Sequence, residues 1–159
     1  MKGAMIDQGE PYFTHLKKIF HTISHIEKNY NWLILGHECY PQNEEYKKIL
    51  AGDYCWLSGE LLTEMIENED FQWIWGILFA FDRQVSKQEV LQYDISGSAV
   101  YADLWKKPVS IYHPSAHIEI VAWDSTATIF ISEQDSVIDG LKKGYPLAED
   151  LEAYISTIQ

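Results

Sequence analysis

The sequence predicts an α+β domain: a central, mostly antiparallel sheet with helices packed mainly on one face. Three observations predict it. Two β-prone runs, His117–Trp123 and Thr126–Ile131, flank the polar break Asp124-Ser125 and read as a hairpin. Within them Ile118, Ile120 and Ala122 alternate with their neighbours, as do Ala127, Ile129 and Ile131, the pattern of strands whose one face lies against helices. Phe71–Phe81 is apolar on both faces and suits a central strand. A third strand expected at Val109–Tyr112 gathers with the hairpin and argues against a regular βαβ winding. Neither hairpin-turn residue is Gly, so the loop is expected to extend to Thr126, with the register open by about one residue.

The size of the chain fits one domain: 159 residues can bury a core without staples, and an apolar fraction of 47% opposes wholesale disorder. The net charge of −12 repels phosphate backbones and speaks against nucleic acid; it favours solubility and could steer a basic partner without specifying one, a solvated acidic surface being the simpler account. No apolar run approaches a membrane span, and the first eight residues do not read as a secretory leader. Two cysteines, Cys39 and Cys55, in such a chain are expected to be free thiols of a cytoplasmic protein.

Residues 1–10 read as a flexible start and 11–159 as the domain. From Pro11, Leu16, Ile19, Phe20, Ile23 and Ile26 recur on one helical face, with Lys17, Lys18, His21 and His25 opposite and an end near Lys28-Asn29. Trp32–Leu35 reads as a strand closed by Gly36. Glu44–Leu50 reads as a short helix and Tyr54–Leu57 as a short strand; Ser58 suits the N-cap of a helix over Gly59–Asn68. After the central strand, Ser86-Lys87-Gln88-Glu89 has the form of a capping box. Residues 94–108 read as an irregular connection. Beyond the hairpin, acids at Glu133 and Asp135 open a helix that closes near Gly144, and Pro146 fits an early position of a last one.

Tyr30-Asn31-Trp32 followed by Glu38 and Tyr40, the aromatic strand ending at Asp82, and the hairpin Ile118–Ile131 with its helix resemble an uncharacterised bacterial family, domain of unknown function number 2691. The resemblance implies an orphan bacterial protein and brings no catalytic residues or cofactor with it.

Four groups of residues could carry function. His21 and His25, four apart, have the spacing with which two imidazoles hold one metal ion; His37, Glu38 and Cys39 are the local candidates for further ligands, and two exposed histidines are the simpler account. His37 and Cys39 follow a strand and could form a base–nucleophile pair, although a free Cys is more often a small buried hydrophobe. His113 and His117 flank a turn and with Asp82 or Asp103 could form an acid–base site. Residues 37–70 hold nine acids and two Lys, among them Glu60, Glu64 and Glu67, which could dock a basic protein; Trp105 could anchor it or could simply pin a long loop. No nucleotide loop, nucleophile elbow, His-Glu-x-x-His or Cys-x-x-Cys occurs. The expectation is therefore a non-catalytic protein-binding module, inhibitor- or immunity-like, with no cofactor. The alternatives are a small enzyme or ligand binder using His37, Cys39, His113 and His117, and a metal-binding domain using His21 and His25.

Overall fold

In a computed structural model describing residues 1–159, the chain runs β1 (Lys2–Ile6), α1 (Lys17–Thr22), a 3-10 turn (Ile26–Asn29), β2 (Tyr30–Cys39), α2 (Glu44–Ile49) and β3 (Tyr54–Ser58). It continues through α3 (Gly59–Asn68), β4 (Trp73–Asp82), α4 (Lys87–Leu91) and α5 (Gly97–Asp103). β5 (Ile118–Trp123), β6 (Ala127–Ser132), α6 (Asp135–Gly144), β7 (Glu149–Asp150) and α7 (Leu151–Ile158) complete it. The seven strands form one sheet in the order β3-β2-β4-β5-β6-β1-β7, every pairing antiparallel. The fold is α+β, as the sequence predicts.

Alternation along the strands divides the interior in two. Trp32, Ile34, Leu78, Ile118 and Ile120 face the larger core, of 26 buried residues, which α1, α2, α3 and α6 cover. Leu33, Phe79, Phe81, Val121 and Ile129 face a second core of 18, closed by α5, α7 and the segment between α5 and β5. β4 lies between β2 and β5, which is why its run is apolar on both sides. The hairpin pairs Trp123 with Ala127, so its loop is Asp124-Ser125-Thr126; Asp124 and Ser125 take positive φ and Thr126 N–H closes the turn on Trp123 O.

Six local expectations are corrected. The expected flexible start is β1, paired with both β6 and β7, with Ala4, Met5 and Ile6 buried. The first helix stops at Thr22: Ser24 takes φ 58° and its N–H bonds His21 O, while His25 N–H bonds Phe20 O, the pair of bonds that ends a helix in a Schellman motif. β2 continues past Gly36, which takes φ 58° at a register shift against β4. The connection over 94–108 contains α5, capped by the Ser96 side chain, whereas Val109–Tyr112 forms no strand and packs by Val109 and Ile111 on the second core. The last helix begins at Leu151 under an Asp150 cap, five residues beyond Pro146.

Candidate metal centre

The Schellman turn after α1 is what brings His25 back toward His21. Their rings meet edge-on with centroids 4.8 Å apart. α3 lies beside α1 and presents Glu67 to both: Glu67 Oε1 accepts a short hydrogen bond from His21 Nε2 and lies 4.0 Å from His25 Nε2. One ligand atom from each of His21, His25 and Glu67 lies within 4.8 Å of the others. Lys17 Nζ is 3.9 Å from the second Glu67 oxygen. The hydrogen bond from His21, followed by the charges around it, holds the Glu67 carboxyl below its ordinary range.

Behind His25 stands Glu27, on the 3-10 turn and 0% exposed. His25 Nδ1–H donates to Glu27 Oε2 at 2.8 Å, which leaves Nε2 as the nitrogen facing Glu67. The Thr63 hydroxyl lies 2.8 Å from Glu27 Oε2 and 2.8 Å from Gly59 O, so one proton serves two acceptors. Glu27 Oε1 is buried with no hydrogen-bond partner. The backbone is fixed from both sides: Trp32 Nε1–H donates to Glu27 O at 3.0 Å, and a Cβ on Gly59 would come within 2.0 Å of that same oxygen. Gly59 is therefore what lets α3 approach the turn closely enough to carry Thr63 and Glu67 to the histidines.

A second imidazole–carboxylate cluster lies where the start of β5 meets the end of β4. His117 Nδ1 is 2.6 Å from Glu133 Oε2 and Nε2 is 2.9 Å from Asp82 Oδ2. Both ring nitrogens are engaged by acids, and the hydrogen bond to Glu133 leads the causes that raise the His117 pKa. His117 and Asp82 are thus brought together, but His113 is not: it is buried in the second core, donating from Nε2 to Val90 O and accepting Ser115 N–H at Nδ1. Asp103 pairs with Lys106 at 2.5 Å instead of with a histidine.

His37 donates from Nε2 to Leu50 O and makes no hydrogen bond with Cys39. Burial pushes the Cys39 thiol up to about 12, the opposite of what a nucleophile needs, and Cys55 likewise. Both cysteines are free. None of the three surface cavities is lined by His37, His113 or His117, so the four residues of the enzyme alternative share no pocket. Of the acids on α3, Glu60 pairs with Arg83 and Glu67 with His21, while Glu64 stays exposed. Trp105 stands edge-on against Trp123 at 5.0 Å and packs on the second core. No sequence pattern marks Glu27, Thr63 or Glu133 as site residues, and Glu67 is marked only by its place on a helix face.

No helix is long and apolar enough to cross a membrane. No curated protein and no solved structure matches the chain. Residues 1–95 match the sequence model of a family described as protein of unknown function (DUF2691). The matched part contains His21, His25, Glu27, Thr63 and Glu67; it ends before His117 and the hairpin. Because that match spans more than half of the 159 residues, the chain belongs to the DUF2691 family.

Proposed function

We propose that the protein binds one divalent transition-metal ion through His21, His25 and Glu67. The observation that carries this reading is the convergence of three ligand atoms, from α1, the turn that follows it and α3, within 4.8 Å of one another. A tetrahedral zinc shell with bonds of about 2.0–2.1 Å spaces its donors about 3.3 Å apart, so changes of up to about 1.5 Å in donor separation, with His21 and Glu67 moving apart, form the set. Two imidazoles and one carboxylate favour zinc, cobalt, nickel or copper over magnesium or calcium, which prefer all-oxygen shells. Three protein ligands leave a fourth position for water. The role proposed is binding; none of the surface cavities is lined by the three ligands themselves. Residence in the cytoplasm, which the two free thiols favour, belongs to the same proposal.

Calorimetric titration of the untagged protein tests it. Zinc should bind at one ion per chain, magnesium should give no saturable heat, and H21A and E67A should each weaken zinc by more than the roughly tenfold to hundredfold typical of a lost outer partner. Equal zinc binding by the H21A/H25A double variant would overturn the assignment.

A further inference from the structure

We propose that Glu27 is the positioning residue of this centre, and that its buried charge is completed only when a cation sits on the far side of the His25 ring. The inference rests on the metal-binding reading and goes beyond it, since Glu27 would touch no ion.

Glu27 is 0% exposed, and a buried carboxylate is stable only when its oxygens are hydrogen-bonded and its charge is offset. Here the offset is incomplete. Oε2 has the His25 Nδ1–H and a half-share of the Thr63 hydroxyl; Oε1 has nothing. Neither Lys nor Arg pairs with the carboxylate; Lys17 and Arg83 pair with Glu67 and Glu60 instead. The only group that links Glu27 to the outside is the imidazole of His25, whose other nitrogen faces Glu67 and His21. A doubly charged ion at that nitrogen would act on Glu27 through the ring, in the carboxylate–histidine–metal arrangement that fixes ligand tautomers and raises ligand basicity.

The backbone points the same way. Ser24 and His25 both take φ 58°, a left-handed conformation that non-glycine residues adopt at a cost. Helices that end this way most often place Gly at the left-handed position; here Ser24 and His25 occupy it. The Glu27–His25 hydrogen bond holds this turn and aims Nε2 at Glu67, so backbone strain and an under-partnered acid both serve the placement of one nitrogen. A residue kept for local stability would have been better partnered.

The test compares E27Q with the unaltered full chain, untagged, by melting temperature with and without excess zinc and by zinc competition against a chromophoric chelator. Removing an incompletely offset charge should leave the metal-free melting temperature unchanged or higher, while zinc affinity falls about tenfold to hundredfold and the zinc-induced shift shrinks. A lower metal-free melting temperature with unchanged zinc affinity would show Glu27 to be structural and overturn the inference. T63V covers the case in which E27Q does not fold: it keeps the carboxylate, removes its shared hydroxyl, and should give a larger zinc-induced shift than the unaltered chain; an equal or smaller shift would also overturn the inference. If the unaltered chain takes up no zinc, the metal reading itself fails; if it takes up zinc and E27Q binds as well, only the role of Glu27 fails.

Discussion

The two imidazole–carboxylate clusters use the same chemistry to opposite ends. At His117 both ring nitrogens end on acids, Glu133 at 2.6 Å and Asp82 at 2.9 Å, and the bonding capacity of the ring is spent. At His25 one nitrogen ends on a buried acid and the other is turned, with His21, toward the shared oxygen of Glu67. The first arrangement is a clasp between strand ends that needs no further atom. The second is a set of donors aimed at a common point. A histidine beside a carboxylate thus says little about role until both nitrogens are accounted for.

Glu119 sharpens the contrast from the side of the acid, and gives the largest expected effect. It is buried in the second core with one backbone donor, Tyr112 N–H at 2.9 Å, and no imidazole. Burial pushes its pKa up to about 8. A carboxyl raised in the folded state holds its proton there after the unfolded chain has lost it. Its stabilising contribution is therefore complete below the ordinary carboxyl range and lost as pH rises from about 4.5 to about 8. Denaturant melts of E119Q should lack this decline, ending on the order of 3–5 kcal/mol better than the unaltered chain at pH 9 relative to their difference at pH 4. Parallel curves would remove Glu119 as the cause.

Zinc should separate the two clusters. At a free concentration a hundred times its dissociation constant, an ion bound only by the folded chain adds about 2.7 kcal/mol, or about 5–10 °C in melting temperature for a domain of this size. H21A/H25A should lose that shift and H117A should keep it, read by thermal unfolding across a zinc series. A shift lost in H117A and retained in H21A/H25A would invert the comparison.

The clasp should respond to protons instead. With the His117 pKa raised, chiefly by Glu133 and then by Asp82, its stabilising contribution is fully present below the unfolded value near 6.5 and lost as pH rises through the raised folded value. His117 is 32% exposed, so solvent screening holds the effect to about 0.5–1 kcal/mol. H117Q should flatten stability over that window. The smallest effect is expected at Glu60, whose pairing with Arg83 is solvent-exposed: E60Q should melt within error of the unaltered chain.

The sheet was legible where its signals are local. The hairpin, the apolar run of β4, the Ser58 cap and the capping box at Ser86 each follow from residues a few positions apart. β1 was not legible, because Lys2–Ile6 becomes a strand by pairing with β6, more than a hundred residues away. The end of α1 was hidden for a different reason: the helix stops at a left-handed Ser24 where no Gly marks the place. The same turn governs the site. Spacing singled out His21 and His25 on the premise of a continuous helix; they meet because the helix ends between them. Glu67 could be seen only as one more acid on α3. Glu27 left no trace in the sequence, since its burial is decided by Thr63, Gly59 and Trp32 converging from α3 and β2.

The most direct measurement is nitrogen-15 NMR of the six histidine rings during addition of zinc to the untagged protein. The Nε2 resonances of His21 and His25 should move together to metal-bound values at one ion per chain, His25 should keep its proton on Nδ1, and His117 should stay doubly protonated at pH 6 and not respond. Stoichiometric zinc that moves His117 instead, or that leaves His21 and His25 in place, would contradict the metal-binding reading.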